Sequence, residues 1–99
     1  MRPIHTAQLD KRRPVLVLTR EIARHSLTNV TVAPITSRVR GLAVEVPVGT
    51  RNGLGQPSAV SCDNIQTIPL TSLGPIVGYL FADQELELTE AILAAFDLE

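Results

Sequence analysis

The sequence predicts a mainly β fold with one C-terminal helix: a small barrel of about six or seven short strands in a single domain over residues 1–99. Three observations carry this. Short runs rich in Val, Ile and Thr recur between charged, Asn-Gly and Asp-Asn breaks, as strands and their turns do. After Asp83 the pattern changes, and Leu88, Ile92, Ala95 and Phe96 fall on one face at helical spacing. Only Tyr79, Phe81 and Phe96 are aromatic, so the core must be aliphatic. A twisted barrel closes its own edges, and the helix can cover an open side. A chain of 99 residues can bury about 65% of its surface, enough for one core and no second domain.

Each element has its own signal. Segment 3–9 is a candidate strand with Ile4, Thr6 and Gln8 on alternate positions, and Asp10-Lys11-Arg12-Arg13 is a tight charged connection. Pro14-Val15-Leu16-Val17-Leu18 is a continuous apolar run of strand length, which predicts burial on both faces. Proline is tolerated at its first position because the missing N–H costs least there. Residues 20–27 are polar and irregular, with room for one helical turn. Segment 28–35 alternates, with Val30 and Val32 on one face, and Pro34 points to an edge or a bulge. Segment 42–48 predicts Leu42, Val44, Val46 and Val48 inward and Glu45 and Pro47 outward. Residues 51–57 read as a loop with a turn at Asn52-Gly53. Segments 58–62 and 64–69 read as strands bent around Asp63-Asn64, and 75–81 as one more strand. Asp83 is placed to cap the final helix, and Glu85 and Glu87 suit its positive N-terminus.

Composition narrows the functional classes. A hydrophobic fraction of 44% and a charged fraction of 19% exclude a disordered, collagen-like or coiled-coil chain. No apolar run approaches the roughly 20 residues of a membrane helix. No secretory signal is visible at the N-terminus. The single cysteine, Cys62, forbids an intrachain disulfide and fits a reducing cytoplasm. No phosphate-binding loop, dinucleotide fingerprint or paired-cysteine metal pattern occurs, so neither a cofactor nor a metal is expected.

Charge is divided unevenly. Residues 1–51 carry all nine basic side chains and three acids; residues 52–99 carry seven acids and no Lys or Arg. Eight of the nine cations are Arg, the residue best suited to bidentate contact with phosphate. The asymmetry admits a merely dipolar surface or a local basic face for a polyanion.

Three constellations could carry chemistry. If strands 14–18 and 28–35 pair antiparallel, Arg13 and Thr36 meet at one rim of the sheet. A guanidinium fork beside a hydroxyl suits a tetrahedral phosphate; an ordinary solvated strand end has the same spacing. His5 and His25 could serve as base and acid, although nothing in their spacing brings them together, and structural histidines explain them better. Cys62, in the acidic half beside Ser61 and Asp63, lacks the electropositive setting of a nucleophilic thiolate and reads as an inert cysteine.

Three blocks in order, Arg13-Pro14-Val15-Leu16-Val17-Leu18, Val32-Ala33-Pro34-Ile35-Thr36-Ser37 and Asp63-Asn64-Ile65-Gln66-Thr67-Ile68, resemble the MazF/PemK family of toxins. These are the mRNA interferases of toxin–antitoxin pairs. The resemblance runs from about residue 7 to residue 97 and is closest to an actinobacterial subgroup with a short N-terminus. It implies an SH3-like barrel of the PemK/CcdB kind, a homodimer, and metal-free cleavage of single-stranded RNA to a 2′,3′-cyclic phosphate and a 5′-OH. It places the catalytic roles on Arg13 and Thr36. It also implies a cognate MazE-like antitoxin that lays an acidic segment in the RNA groove.

Around that pair, Lys11, Arg12, Arg38 and Arg40 are expected to hold flanking phosphates, with Ser37 beside them, and Asn64 and Gln66 to read bases. The chain departs from the family in its first connection. A long Gly-rich loop with a Ser-Glu-Gln element is reduced to Asp10-Lys11-Arg12, and Asn64 and Gln66 replace the usual Gln and Lys or Arg. Two further readings remain open: a gyrase-poisoning toxin on the same barrel, and an RNA-binding barrel without catalysis.

Overall fold

The computed structural model describes residues 1–20 and 27–98. Among these, the strands are β1 (Arg2–Gln8), β2 (Arg12–Val17), β3 (Asn29–Thr36), β4 (Glu45–Val48), β5 (Ser58–Ser61), β6 (Gln66–Pro69) and β7 (Leu73–Leu80). Among the described residues there is one α-helix, α1 (Glu85–Ala95), near the C-terminus. The sheet is antiparallel and curled, in the order β4-β5-β3-β2-β1-β7, with β6 also on β3. The helical turn considered for 20–27 lies largely outside the described residues, as does His25.

β3 is the hub. β2 lies along one side, while the other side pairs with β6 over Asn29–Val32 and with β5 at Ile35 and Thr36. One strand serving two outer neighbours that diverge bends the sheet on itself. Pro34 is therefore not at an edge. It sits where the outer ladder is broken between Val32 and Ile35, a place where a missing donor costs little.

The apolar run of β2 is buried on both faces as its sequence predicts. Leu16 joins Ile4, Ala33, Ile35 and Leu88 in one cluster, while Val15 and Val17 join Ala7, Val30 and Val32 in another. β2 begins earlier than predicted. Arg12 and Arg13 pair with Gln8 and Ala7 of β1, so Pro14 is internal to the strand. β1 likewise buries a residue on each face: Ile4, opposite Leu16, joins the first cluster and Ala7 joins the second, while its register against β7 shifts around His5.

Three other expectations are corrected. The strand predicted at 42–48 is only Glu45–Val48. Val46 and Val48 are buried as expected, but Leu42 is exposed and Glu45 is buried. Asp83 does not cap α1. A 3₁₀ turn, Ala82–Gln84, precedes the helix, the Gln84 side chain accepts the Phe81 N–H at 3.0 Å, and Asp83 forks with Arg51. α1 covers the first cluster through Leu88 and Ala91, with Ile92 and Ala95 partly buried against it. Phe96, expected on that face, is exposed.

Candidate active site

The β2–β3 ladder pairs Val15 with Pro34, Leu16 with Ala33 and Val17 with Val32. The ladder ends at Val15 and Pro34, and its register carried two residues outward would bring Arg13 toward Thr36. Both line one groove of about 720 Å³. The rim expected from the sequence is present, and what makes it is a hairpin start and a strand end meeting at a fixed offset.

Arg13 is held by Asp10. Its Nε donates to Oδ1 at 2.9 Å and its Nη2 to Oδ2 at 3.0 Å. This occupies the side-on edge of the guanidinium and leaves the end-on edge, Nη1 with the second Nη2 hydrogen, without a partner among the described residues and able to take two oxygens of a ligand. The Arg13 fork holds the Asp10 carboxyl well below the usual range, and Asp10 in turn raises Arg13. Arg13 is thus a fixed positive charge. The Thr36 hydroxyl oxygen accepts the Arg38 N–H at 3.0 Å, so its own proton remains available to a ligand.

The other predicted residues divide by whether they already have partners. Arg38, Asn64 and Gln66 line the same groove, and among the described residues their side chains make no hydrogen bond. Lys11, Arg12 and Ser37 line an adjoining hollow, with Arg12 Nη1 donating to Thr6 Oγ1 at 3.1 Å. Arg40 is engaged: its Nε donates to Glu45 at 3.3 Å and its Nη2 to Asp63 at 3.4 Å. It braces the groove wall rather than standing free.

Glu45 explains that brace. Its carboxylate, 2% exposed, accepts the backbone N–H groups of Arg40, Gly41 and Leu42 at 3.1, 2.8 and 3.2 Å. Gly41, at φ +72°, turns the three donors inward into an anion nest filled by the chain's own side chain. Burial alone would push the Glu45 carboxyl up, but the N–H donors of Leu42, Arg40 and Gly41 together with the Arg40 guanidinium outweigh it and hold the group below its ordinary value.

The sequence missed Asp10 and Glu45. The spacing of three between Asp10 and Arg13 was a signal that could have found the first. The alternating pattern pointed the second outward. His5 is away from the groove, its Nδ1 2.8 Å from the Gly74 oxygen. Cys62 is fully buried, and burial, with Asp63 adding, pushes its thiol up to about 11; it is no nucleophile. Chemically, the rim offers a charged fork and a hydroxyl donor converging on an open, polar groove. That suits a phosphodiester whose oxygens gather negative charge.

The family described as PemK-like, MazF-like toxin of type II toxin–antitoxin system matches residues 2–96. Over its 99 residues the chain is 70% identical to Endoribonuclease MazF3 of Mycobacterium tuberculosis, with 96% of that protein covered. Among solved structures, Mycobacterium tuberculosis toxin MazF-mt6 matches with a TM-score of 0.96 at 69% identity, over 98% of each chain. An endoribonuclease from a mycobacterial species, in complex with its cognate antitoxin, shares the fold at 20% identity, with a TM-score of 0.86 over 98% of this chain and 93% of that one.

Proposed function

Because the chain belongs to the PemK-like, MazF-like toxin family and is an endoribonuclease, we propose that it cuts single-stranded RNA where Arg13 faces Thr36, without a metal. The observation that carries this reading is the groove lined by both Arg13 and Thr36 just beyond the end of the β2–β3 ladder, with one guanidinium edge and the hydroxyl proton unpartnered among the described residues. The 2′-OH of one nucleotide attacks its own 3′ phosphorus, the bond from phosphorus to the 5′ oxygen breaks, and a 2′,3′-cyclic phosphate and a 5′-OH result. Charge grows on the non-bridging oxygens as this happens. The end-on edge of Arg13 and the Thr36 hydroxyl are aimed where that charge develops. Arg13, raised by Asp10, acts as charge and not as acid, so in the open groove water takes the proton released by the attacking 2′-OH and another water supplies the proton taken up by the leaving 5′ oxygen. DNA, lacking the 2′-OH, has no internal nucleophile.

Arg38 holds a flanking phosphate, and Asn64 and Gln66 read bases. Lys11, Arg12 and Ser37 extend the contact past the cut. The protein works as a cytoplasmic homodimer, silenced by a MazE-like antitoxin that competes for the same groove. The gyrase-poisoning and non-catalytic readings are set aside by the 70% identity to an endoribonuclease over the whole chain.

Purified protein with a long single-stranded transcript in EDTA is expected to give fragments whose downstream pieces start with 5′-OH. Arg13→Ala and Thr36→Ala are each expected to lower the rate by roughly 10²–10³, with unchanged circular dichroism. Wild-type rates in both folded variants would overturn the assignment.

A further inference from the structure

Arg13, Ile35 and Thr36 line two hollows and form the ridge between them. Asn64 and Gln66 belong to the larger; the smaller, of about 260 Å³, is bounded by Lys11, Leu54 and Gln56. Resting on the RNA cleavage proposed above, we propose that the smaller hollow is a second nucleotide subsite. In it Gln56 reads the base and Lys11 holds a phosphate on that side of the cut.

A strand whose scissile phosphate sits on the ridge must send one neighbouring nucleotide to each side. The smaller hollow, of about 260 Å³, lies on one of those two sides. Leu54 is half-buried and packs on the core, and its N–H donates to the Gly49 carbonyl at 3.3 Å. The Gln56 carbonyl accepts the Ser58 hydroxyl at 3.0 Å. The backbone of this loop is therefore tied on both sides of Gly55. The Gln56 amide and the Lys11 ammonium, in contrast, have no partner among the described residues. A fixed backbone carrying a free amide donor and acceptor is the requirement for reading a base edge. With three aromatic residues in the chain and none on this hollow, the base is recognised by hydrogen bonds and not by stacking. Base preference is then divided across the ridge, Gln56 on one side of the cut and Asn64 with Gln66 on the other.

The test is to sequence the cleavage ends that the wild-type protein, Gln56→Ala and the Asn64→Ala/Gln66→Ala double variant produce from a randomised RNA. Gln56→Ala is expected to reduce base preference about tenfold, the worth of one hydrogen bond, at positions on one side of the cut only. The double variant relaxes positions on the opposite side. Gln56→Glu, which keeps the size and replaces the donor by a carboxylate, is expected to change the preferred base at the positions that Gln56→Ala relaxes. Lys11→Ala, titrated with RNA carrying a 2′-deoxy residue at the cut, is expected to bind every sequence more weakly and to lower the salt slope by about 0.7. Wild-type preferences in both Gln56 variants, or relaxation by Gln56→Ala at the positions the double variant relaxes, would overturn the subsite and leave the nuclease reading standing. No cutting by the wild-type protein would remove both.

Discussion

Glu45 shows how much one misplaced side chain can decide. Alternation along 42–48 points it to solvent; in the fold it turns in and gathers three backbone N–H groups and a guanidinium. Among the described residues those donors have no backbone partner, so the loop between β3 and β4 is organised around one carboxylate. Glu45→Gln keeps one acceptor oxygen and turns the other into a donor facing donors. It is expected to destabilise the fold by about 1–3 kcal/mol, read from urea unfolding at pH 7. The pH dependence follows from the lowered carboxyl. A group depressed in the folded state stabilises above its unfolded value, here the ordinary 4.5, and that stability is lost as pH falls below it toward the folded value. Wild-type and Glu45→Gln unfolding midpoints should therefore converge as pH drops from 5 through the acid range. Parallel pH curves would remove Glu45 from this role.

At the scale of elements, the short 3₁₀ segment Thr50–Asn52 fixes the end of the barrel. Asn52 is buried and its amide donates to the Tyr79 carbonyl and to Gln84, both at 2.8 Å. This joins the segment to β7 and to the turn that launches α1. The approach is so close that a Cβ on Gly78 would meet the Asn52 carbonyl, and Gly53 adopts φ +88°. Gly78→Ala is expected to cost about 1–3 kcal/mol through overpacking. The check is thermal unfolding, with Gly55→Ala, which meets nothing within 4 Å, as the neutral control. Equal midpoints for the two would mean that the segment is free to shift.

At the scale of the molecule, the basic and acidic halves of the chain do not separate into two poles. Arg2 pairs with Glu85, Arg40 with Asp63 and Arg51 with Asp83, each joining the two halves. Lys11, Arg12 and Arg38 have no carboxylate partner among the described residues and stand around the Arg13–Thr36 ridge, so a local cationic surface survives on a chain of net charge −1. β7 ends the sheet order and exposes Ile76, Val77 and Tyr79, an apolar edge that a lone monomer would be expected to blunt. A second copy is expected there. Sedimentation should report two chains, and Ile76→Lys/Val77→Lys should weaken association roughly thirtyfold, the worth of about 2 kcal/mol. Wild-type protein that sediments as one chain at micromolar concentration would exclude the dimer.

Local periods, and hence the fold class, are written in the order of residues. Val15-Leu16-Val17 had to be an interior strand because only burial on both faces accommodates it. Val30 and Val32 had to share a face, and Leu88, Ile92 and Ala95 had to lie on one helix face against an aliphatic core. The pair Arg13 and Thr36 was also legible, because antiparallel pairing of two adjacent strands leaves one place for their outer ends to meet. Tertiary structure alone decided which polar groups were already satisfied. Whether Arg40 is free or braced, whether Glu45 faces water or a nest, and whether Asp83 caps a helix or binds Arg51 depends on donors brought from distant positions in the chain. Periodicity describes apolar surface, which is local and non-directional. A hydrogen bond needs a partner at a given distance and angle, and only the folded chain supplies it.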